Sequence, residues 1–316
     1  MYESDSNQVP ATTQPELRSR KFIFTMFTND QGLRSGWRLL LYILSVLLLV
    51  WCFQFVLRKL LGHGIGGETS GRLIVTETAL LISAMLPAMV ASRLERRPWR
   101  TYGLPLRPEG YRFAAGLVLG FAALSLLMLL IFLFHGVSLG TAVIHGTAIA
   151  RYAVVWGVAF LLVGIAEEFL FRGYSLYTLA TGIGFWPAGI LLCLLFGGLH
   201  LLNGGEDWLG GLATAINALV FVFSLWRTGS LWFAVGLHLS WDWGESFFYG
   251  VPDSGVKAVG TLFDSKFQGS KWITGGSVGP EGSVLVFVVI ALMFVVIHLL
   301  YPKRQWQADS AEHLVA

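Results

Sequence analysis

The chain has 316 residues, of which 55% are hydrophobic, 14% are aromatic and only 13% are charged. A water-soluble fold of this length could not bury so much apolar surface, so the composition excludes an ordinary soluble domain. The formal net charge of +3 is too small to indicate nucleic-acid binding. Cys52 and Cys193 both lie inside apolar segments, which indicates neither a disulfide nor a metal site. The sequence therefore predicts an integral membrane protein.

A polar tail over residues 1–34 comes first and has no short apolar region of the kind that a cleavable signal peptide needs. The apolar segment that follows is expected to direct insertion itself. A membrane-spanning helix needs about 20 mostly apolar residues, because the hydrocarbon core is about 30 Å thick. The candidate spans are Trp37–Leu57, Leu73–Ala91, Phe113–Phe134, Ala153–Tyr174, Phe185–Leu202, Leu209–Trp226, Leu231–Tyr249 and Val284–Tyr301. The predicted fold class is all-α, a polytopic bundle of about eight transmembrane helices.

These spans divide the rest of the chain into four regions. Residues 35–150 hold spans one to three, residues 151–249 hold spans four to seven, and residues 284–316 hold the last span and a C-terminal tail. Residues 250–283 form a loop that is rich in Gly and Ser. That composition predicts an extramembrane excursion and not a second domain.

The orientation follows from Lys and Arg, which accumulate in cytoplasmic flanks. The loop Gly136–Ala150 has no Lys or Arg, whereas the ends on the other side are basic. Both termini are therefore predicted to be cytoplasmic, in the plasma (inner) membrane of a prokaryote, with the loops Gly204–Trp208 and Gly250–Gly282 outside. The basic flanking residues before span one and after span two are Arg18, Arg20, Lys21, Arg34, Arg38, Arg93, Arg96, Arg97, Arg100 and Arg107.

Ionisable groups within a span are costly, so each one suggests a functional site. Span four contains Glu167, Glu168 and Arg172. Glu168 and Arg172 are four residues apart, which places them on one helix face where they can pair. Glu167 points about a quarter-turn away and is left available for another task.

Two more spans carry polar groups at the same spacing. Span five has Phe196 and His200 four residues apart, and span seven has His238 and Asp242, with Glu245 continuing the stripe. Facing lipid is too costly for such stripes, so they must face one another or a wet cavity. One Glu–Arg pair or one histidine is also typical of helix packing, and a lone Phe is typical of a core. Their conjunction on three helices favours a shared site.

The order E-E-x-x-x-R, F-x-x-x-H and H-x-x-x-(N or D) resembles the CPBP family of intramembrane glutamic endopeptidases, which includes CAAX proteases and bacteriocin-processing enzymes and is also called the Abi family. The resemblance covers Ala153 to Tyr249. It implies a membrane-associated, prenylated or bacteriocin-like peptide or protein as substrate, in the lipid bilayer, and no cofactor. The site residues that it implies are Glu167, Glu168, His200, His238 and Asp242, supported by Arg172 and Phe196.

The resemblance also implies a role for each residue. Glu167 would activate water beside His200, while His238 would bind that water or stabilise the oxyanion. Glu168 and Arg172 would brace the site. Members of the family often have Asn at the position of Asp242. A carboxylate donates a hydrogen bond only when protonated, so Asp242 would instead orient His238 or keep it charged.

Three alternatives remain open at this stage. The sequence has no G-x-S-x-G and no H-E-x-x-H, but Glu167, His200 and His238 could bind zinc as a catalytic ligand set. Midplane carboxylates and histidines also make proton relays in transporters, although no internal repeat or broken helix is evident. A scaffold that binds membrane peptides without cutting them is the third.

Helix depth creates a difficulty for a site that joins spans four and five. Glu167 falls in the inner half of span four, whereas His200 falls near the outer end of span five. Straight, full-length spans would separate the two side chains. We therefore expect span five to begin deeper than Phe185, or the helices to be tilted and the outer surface to be indented.

Overall fold

The computed structural model describes residues 26–29, 32–61, 69–105 and 109–307. Within these residues the chain is mostly helical with a few two-residue strands, which confirms the predicted all-α membrane bundle. Most of the predicted tail over residues 1–34, with Arg18, Arg20 and Lys21, lies outside the described residues. So do Arg107 and residues 308–316.

The helices are named here in chain order. They are α1 (Ser35–Leu61), α2 (Ser70–Leu94), α3 (Gly110–Leu133), α4 (Thr147–Glu168), α5 (Leu176–Ile183), α6 (Phe185–His200), α7 (Trp208–Thr228), α8 (Leu231–Trp243), α9 (Lys271–Thr274) and α10 (Val286–Leu300). Short 3₁₀ turns occupy Trp99–Thr101 and Pro280–Gly282. π-helical segments at Phe169–Ser175 and Gly244–Tyr249 join α4 to α5 and extend α8.

Helices occupy all eight predicted spans, but not all of them are long enough to cross a bilayer by themselves. Of the described residues, five helical stretches are both long and apolar enough: Ser35–Lys59, Ser70–Leu94, Gly110–Leu133, Thr147–Ile183 and Trp208–Thr228. The helices at Phe185–His200 and Val286–Leu300 are apolar but shorter. The membrane bundle is therefore established, whereas the count of eight stays a prediction.

The fourth span is longer than its pattern predicts and is interrupted. It runs from Thr147 to Ile183, and Gly173 has non-helical backbone angles (φ −83°, ψ −115°) within the π-helical segment. The expectation of unbroken helices is thus wrong at this point. The interruption follows directly after Glu167 and Glu168, and π-turns of this kind often mark functional positions.

Small residues set the close packing of α3 against α8. Gly116 and Gly120 on α3 and Gly236 on α8 all face the partner helix, where a Cβ atom would collide with backbone oxygens. Because glycine has no side chain, the backbones of α3 and α8 can approach closely, as is common between membrane helices. This contact fixes the position of α8, which carries His238 and Asp242.

The region after α8 packs onto the end of the bundle. Its strand β4 (Lys266–Phe267) pairs antiparallel with β3 (Val137–Ser138), which follows α3. The other two strands, β1 (Thr28–Asn29) and β2 (Gly32–Leu33), form an antiparallel pair before α1. At the start of α7, the Asp207 carboxylate accepts hydrogen bonds from the N–H groups of Leu209 and Gly210 and so caps the helix.

Candidate active site

His238 lies at the centre of three carboxylates. Its Nδ1–H donates a hydrogen bond to Glu168 Oε1 at 3.0 Å. Its Nε2 atom is 3.4 Å from Asp242 Oδ2 and 3.7 Å from Glu167 Oε2. Glu168 is 70 residues from His238 in sequence, so the four-residue spacings within single helices did not predict this contact. Glu168 therefore fixes one ring nitrogen, while Asp242 and Glu167 face the other.

Glu168 and Arg172 form a buried ion pair. Arg172 Nη1 donates to Glu168 Oε1 at 3.1 Å, and the two side chains are 1% and 0% exposed. The guanidinium also lies over the rings of Phe196 and Phe221, at 4.5 Å and 5.2 Å from their centroids. Glu168 Oε1 thus accepts hydrogen bonds from both Arg172 and His238. This carboxylate therefore holds other side chains in place.

A glycine on α4 allows α8 to come close enough for these contacts. A Cβ atom on Gly164 would lie 3.2 Å from the carbonyl oxygen of Val235 and 3.6 Å from His238 Cβ. A larger side chain would push the two helices apart, because packed helices yield little. Gly164 therefore supports the distance between the Glu167–Glu168 pair and His238.

Phe196 and His200 lie beside each other on one face of α6, as their spacing predicts, with their rings tilted by 50°. Their ring centroids are 4.4 Å apart, and His200 Nδ1 lies 2.9 Å from the carbonyl oxygen of Phe196. A carbonyl oxygen only accepts, so Nδ1 carries the proton in this hydrogen bond. The Nε2 atom of a neutral His200 is then left as an acceptor.

One cavity of about 300 Å³ joins the predicted site residues from three helices. Glu167, His200, His238 and Asp242 all line it, and so does Phe196. Glu168 and Arg172 are not among the side chains that line it, and they lie behind His238. The structure thus separates the two adjacent glutamates: Glu167 faces the cavity and Glu168 faces the protein interior.

The two helices that carry Glu167 and His200 are staggered. Helix α6 begins at Phe185, the residue at which span five is predicted to begin, and it ends at His200. Glu167 lies 20 residues, or about 30 Å, from the start of α4. Both side chains line the same cavity, so the C-terminal ends of α4 and α6 meet there, and the N-terminal part of α4 extends beyond the end of α6. A staggered bundle end therefore removes the difficulty in depth.

Two polar residues of α7 belong to the cavity and were missed by the sequence analysis. Thr214 and Asn217 are buried and line the cavity, and neither Thr214 Oγ1 nor Asn217 Oδ1 has a hydrogen-bond partner among the described residues. Their spacing of three residues inside an apolar span was the signal that could have identified them. Both groups are available to a bound molecule.

The proposed zinc ligands do not come together as a three-residue set. Metal-binding geometry needs ligand atoms within a few ångströms of one another. Among the described residues, Glu245, Asp253 and Glu281 have ligand atoms within 4.8 Å of one another, and Glu167, His200 and His238 do not form such a group. Glu245, expected on the same stripe as His238, therefore joins a different cluster.

The fold and site define an integral membrane protein with acidic and imidazole side chains around a cavity in its helical bundle. Residues 149–244 match the family model described as type II CAAX prenyl endopeptidase, Rce1-like. This match confirms the predicted resemblance to the CPBP family, which includes CAAX proteases, over residues 149–244. No curated protein and no solved structure shows significant similarity to the chain.

Proposed function

We propose that the protein is an intramembrane endopeptidase that hydrolyses a peptide bond of a membrane-associated peptide by means of a water activated by Glu167. The observation that carries this proposal is the shared cavity. Glu167, His200, His238 and Asp242 come from three helices and line one space of about 300 Å³ inside the segment that matches the family. This group provides a base, a donor and an acid at one place.

Glu167 is the best placed of the carboxylates to act as the general base. Its side chain is 22% exposed toward the cavity and has one contact at 3.7 Å, with His238 Nε2. Glu168 is fully buried and already accepts from Arg172 and His238. Glu167 would take a proton from water and return it to the leaving amine, and the acceptor nitrogen of His200 would position that water.

The oxyanion needs hydrogen-bond donors, and His238 and Asn217 supply them in this proposal. When both nitrogens of His238 are protonated, Nδ1 donates to Glu168 and Nε2 points to the side of Glu167 and Asp242. Asp242 cannot donate as a carboxylate. The amide of Asn217 lines the same cavity and would take the place of the Asn that relatives often have at position 242.

The cavity is proposed to open on the non-cytoplasmic face. Its lining includes Ser254 and Val256, which lie in a loop that is predicted to be outside, and Asn203, which directly precedes another such loop. Both termini would then be cytoplasmic in the plasma membrane of a prokaryote. A peptide substrate would enter from the outer face or from the bilayer, and neither a prenylated nor a bacteriocin-like peptide is favoured by any contact.

The proposed activity is tested in cells. Membrane and secreted peptides are compared between cells that carry the native protein, Glu167→Ala, or Asp264→Ala as a control at an exposed loop position. We expect a precursor to accumulate and its product to disappear in Glu167→Ala alone. Identical peptide profiles in all three strains, each with the protein present in the membrane, would refute the activity under those conditions.

A zinc peptidase that uses Glu167, His200 and His238 as ligands is the competing mechanism. We propose the route without a metal at this site, since the ligand atoms of these three residues do not form a compact set. Zinc content measured on the purified, active protein separates the two mechanisms. One zinc per chain, lost together with activity and restored with it, would establish the zinc mechanism.

A further inference from the structure

A second cluster of carboxylates lies beside the cavity, built from three separate elements. Glu245 comes from the π-helical extension of α8, Asp253 from the loop that follows it, and Glu281 from the 3₁₀ turn before α10. One carboxylate oxygen of each lies within 4.8 Å of the others. Asp253 and Glu281 also line the cavity, so the cluster forms part of its wall.

Glu245 has no hydrogen-bond donor in this cluster. Its side chain is fully buried, and neither carboxylate oxygen has a hydrogen-bond partner among the described residues. The other two carboxylates are partly satisfied. Ser246 Oγ donates to Asp253 at 3.1 Å, and Glu281 accepts from Ser254 Oγ at 2.7 Å and from Trp241 Nε1 at 3.1 Å. A buried carboxylate that points into two others without a donor calls for a further positive partner.

The described residues provide no such positive partner. No Lys, Arg or His among them forms an ion pair within 4.0 Å with any carboxylate of the cluster. Buried carboxylates of this kind bind either protons or a cation.

We infer that Glu245, Asp253 and Glu281 bind a divalent cation, and that calcium is the ion that fits. All three ligands are carboxylate oxygens, with no sulfur or imidazole nitrogen, which selects a hard cation. Calcium binds oxygens at about 2.3–2.6 Å. Ligand oxygens on one ion therefore lie within about 5 Å of one another, a condition that this cluster meets. Magnesium requires a tighter octahedron and usually keeps several waters.

The cation would fasten the loop after α8 to the bundle next to the cavity. It would join the end of α8 to Asp253 in the loop and to Glu281 before α10. Because Asp253 and Glu281 line the cavity, the bound ion would fix the shape of its outer wall. This inference goes beyond the proposed peptidase activity and does not depend on it.

Calcium binding to the whole protein provides the test. Purified protein in detergent is treated with a chelator, dialysed into metal-free buffer near neutral pH, and titrated with Ca²⁺ or Mg²⁺ by calorimetry, with thermal unfolding followed in parallel. We expect saturable binding of one Ca²⁺ per chain, weaker binding of Mg²⁺, and a melting temperature that rises with Ca²⁺. Binding should weaken as the pH is lowered, because protons compete for the same oxygens.

Three variants locate the binding. Glu245→Gln and Asp253→Asn each remove one charged ligand with little change in volume, and each should weaken Ca²⁺ binding at least about tenfold, since ligand charge tunes the affinity of such sites. Asp264→Asn is the matched control, because Asp264 is exposed and lies near Lys257 and Lys266. It should bind Ca²⁺ as the native protein does.

Three outcomes would overturn the inference. They are the absence of saturable Ca²⁺ binding to the native protein, Ca²⁺ binding that is unchanged in both ligand variants, and a preference for Mg²⁺ over Ca²⁺. If the carboxylates shared protons instead, the native protein would bind no Ca²⁺. The titration of the native protein decides the question even if a variant does not fold, and it is independent of peptide cleavage.

Discussion

Replacing Glu168 by Gln should destabilise the protein while leaving its hydrogen bond to His238 in place. The Gln side chain has nearly the same shape, and its Oε1 atom can still accept from His238 Nδ1. What it removes is the negative charge opposite Arg172, at 3.1 Å in a site where both side chains are at most 1% exposed. Glu168→Gln therefore removes the negative charge that Glu168 presents to Arg172 and His238, while the shape of the side chain is retained.

The loss of stability expected for Glu168→Gln follows from the burial of the Glu168–Arg172 ion pair. Breaking a buried ion pair from one side typically costs about 3–5 kcal/mol, because it leaves an uncompensated charge. Phe196 and Phe221 lie against the guanidinium but provide no full compensating charge. Glu167→Gln should change the stability by about 1 kcal/mol or less, since Glu167 is 22% exposed and has one long contact.

The assay is the free energy of unfolding in mixed micelles, measured for the native protein and for variants at Glu168 and Arg172. Glu168→Gln and Arg172→Met should each destabilise strongly. The double variant should be less destabilised than the sum of the two, by at least about 1 kcal/mol, because removing both charges leaves neither unpaired. Additive losses, or a Glu168→Gln variant as stable as the native protein, would refute the assignment of Glu168 to structure.

Further predictions concern topology, the oxyanion and pH. Single cysteines at Pro98 and Thr141, in a background without the native cysteines, should be labelled from opposite sides of the membrane; labelling from one side would contradict the predicted orientation. Asp242→Asn should keep much of the cleavage rate, and Asp242→Leu should lose it. Asn217→Leu should lower kcat about 10²–10³-fold, because its amide is proposed to stabilise the oxyanion. An Asn variant at 242 as inactive as Leu, or an unchanged kcat in Asn217→Leu, would contradict these roles. Burial and a neighbouring carboxylate raise the pKa of Glu206 from 4.5 to about 7. The folded state therefore holds this proton more tightly than the unfolded state, and stability falls as the pH rises from about 4.5 to 7. Thermal unfolding in metal-free buffer should show this fall in the native protein and a smaller one in Glu206→Gln; equal falls would contradict it.

Local features of the structure could be predicted because they depend on spacing along one helix. The span positions follow from apolar length, and the Glu168–Arg172 and Phe196–His200 contacts follow from the four-residue period. The direction of Glu167 away from Arg172 follows from the same period. These inferences need no knowledge of how the helices pack.

Contacts between helices could not be predicted in this way. The hydrogen bond from His238 to Glu168 depends on how closely α8 approaches α4 at Gly164, which no spacing within either helix specifies. The π-helical interruption at Gly173 has no clear pattern in the sequence. Asp253 and Glu281 lie in a loop without periodicity, so their approach to the end of α8 was visible only in the structure.

Peptide cleavage by purified Glu167→Gln protein tests the central claim most directly. Cleavage of a membrane peptide in detergent is measured for the native protein and for the variant, with unfolding and zinc content determined on the same samples. Loss of a general base typically lowers the rate about 10²–10⁴-fold, so Glu167→Gln should show almost no cleavage, near-native stability and no zinc that tracks activity. A variant that cleaves within about tenfold of the native rate would contradict the role of Glu167. Stoichiometric zinc whose removal abolishes cleavage, and whose return restores it, would contradict the metal-free mechanism.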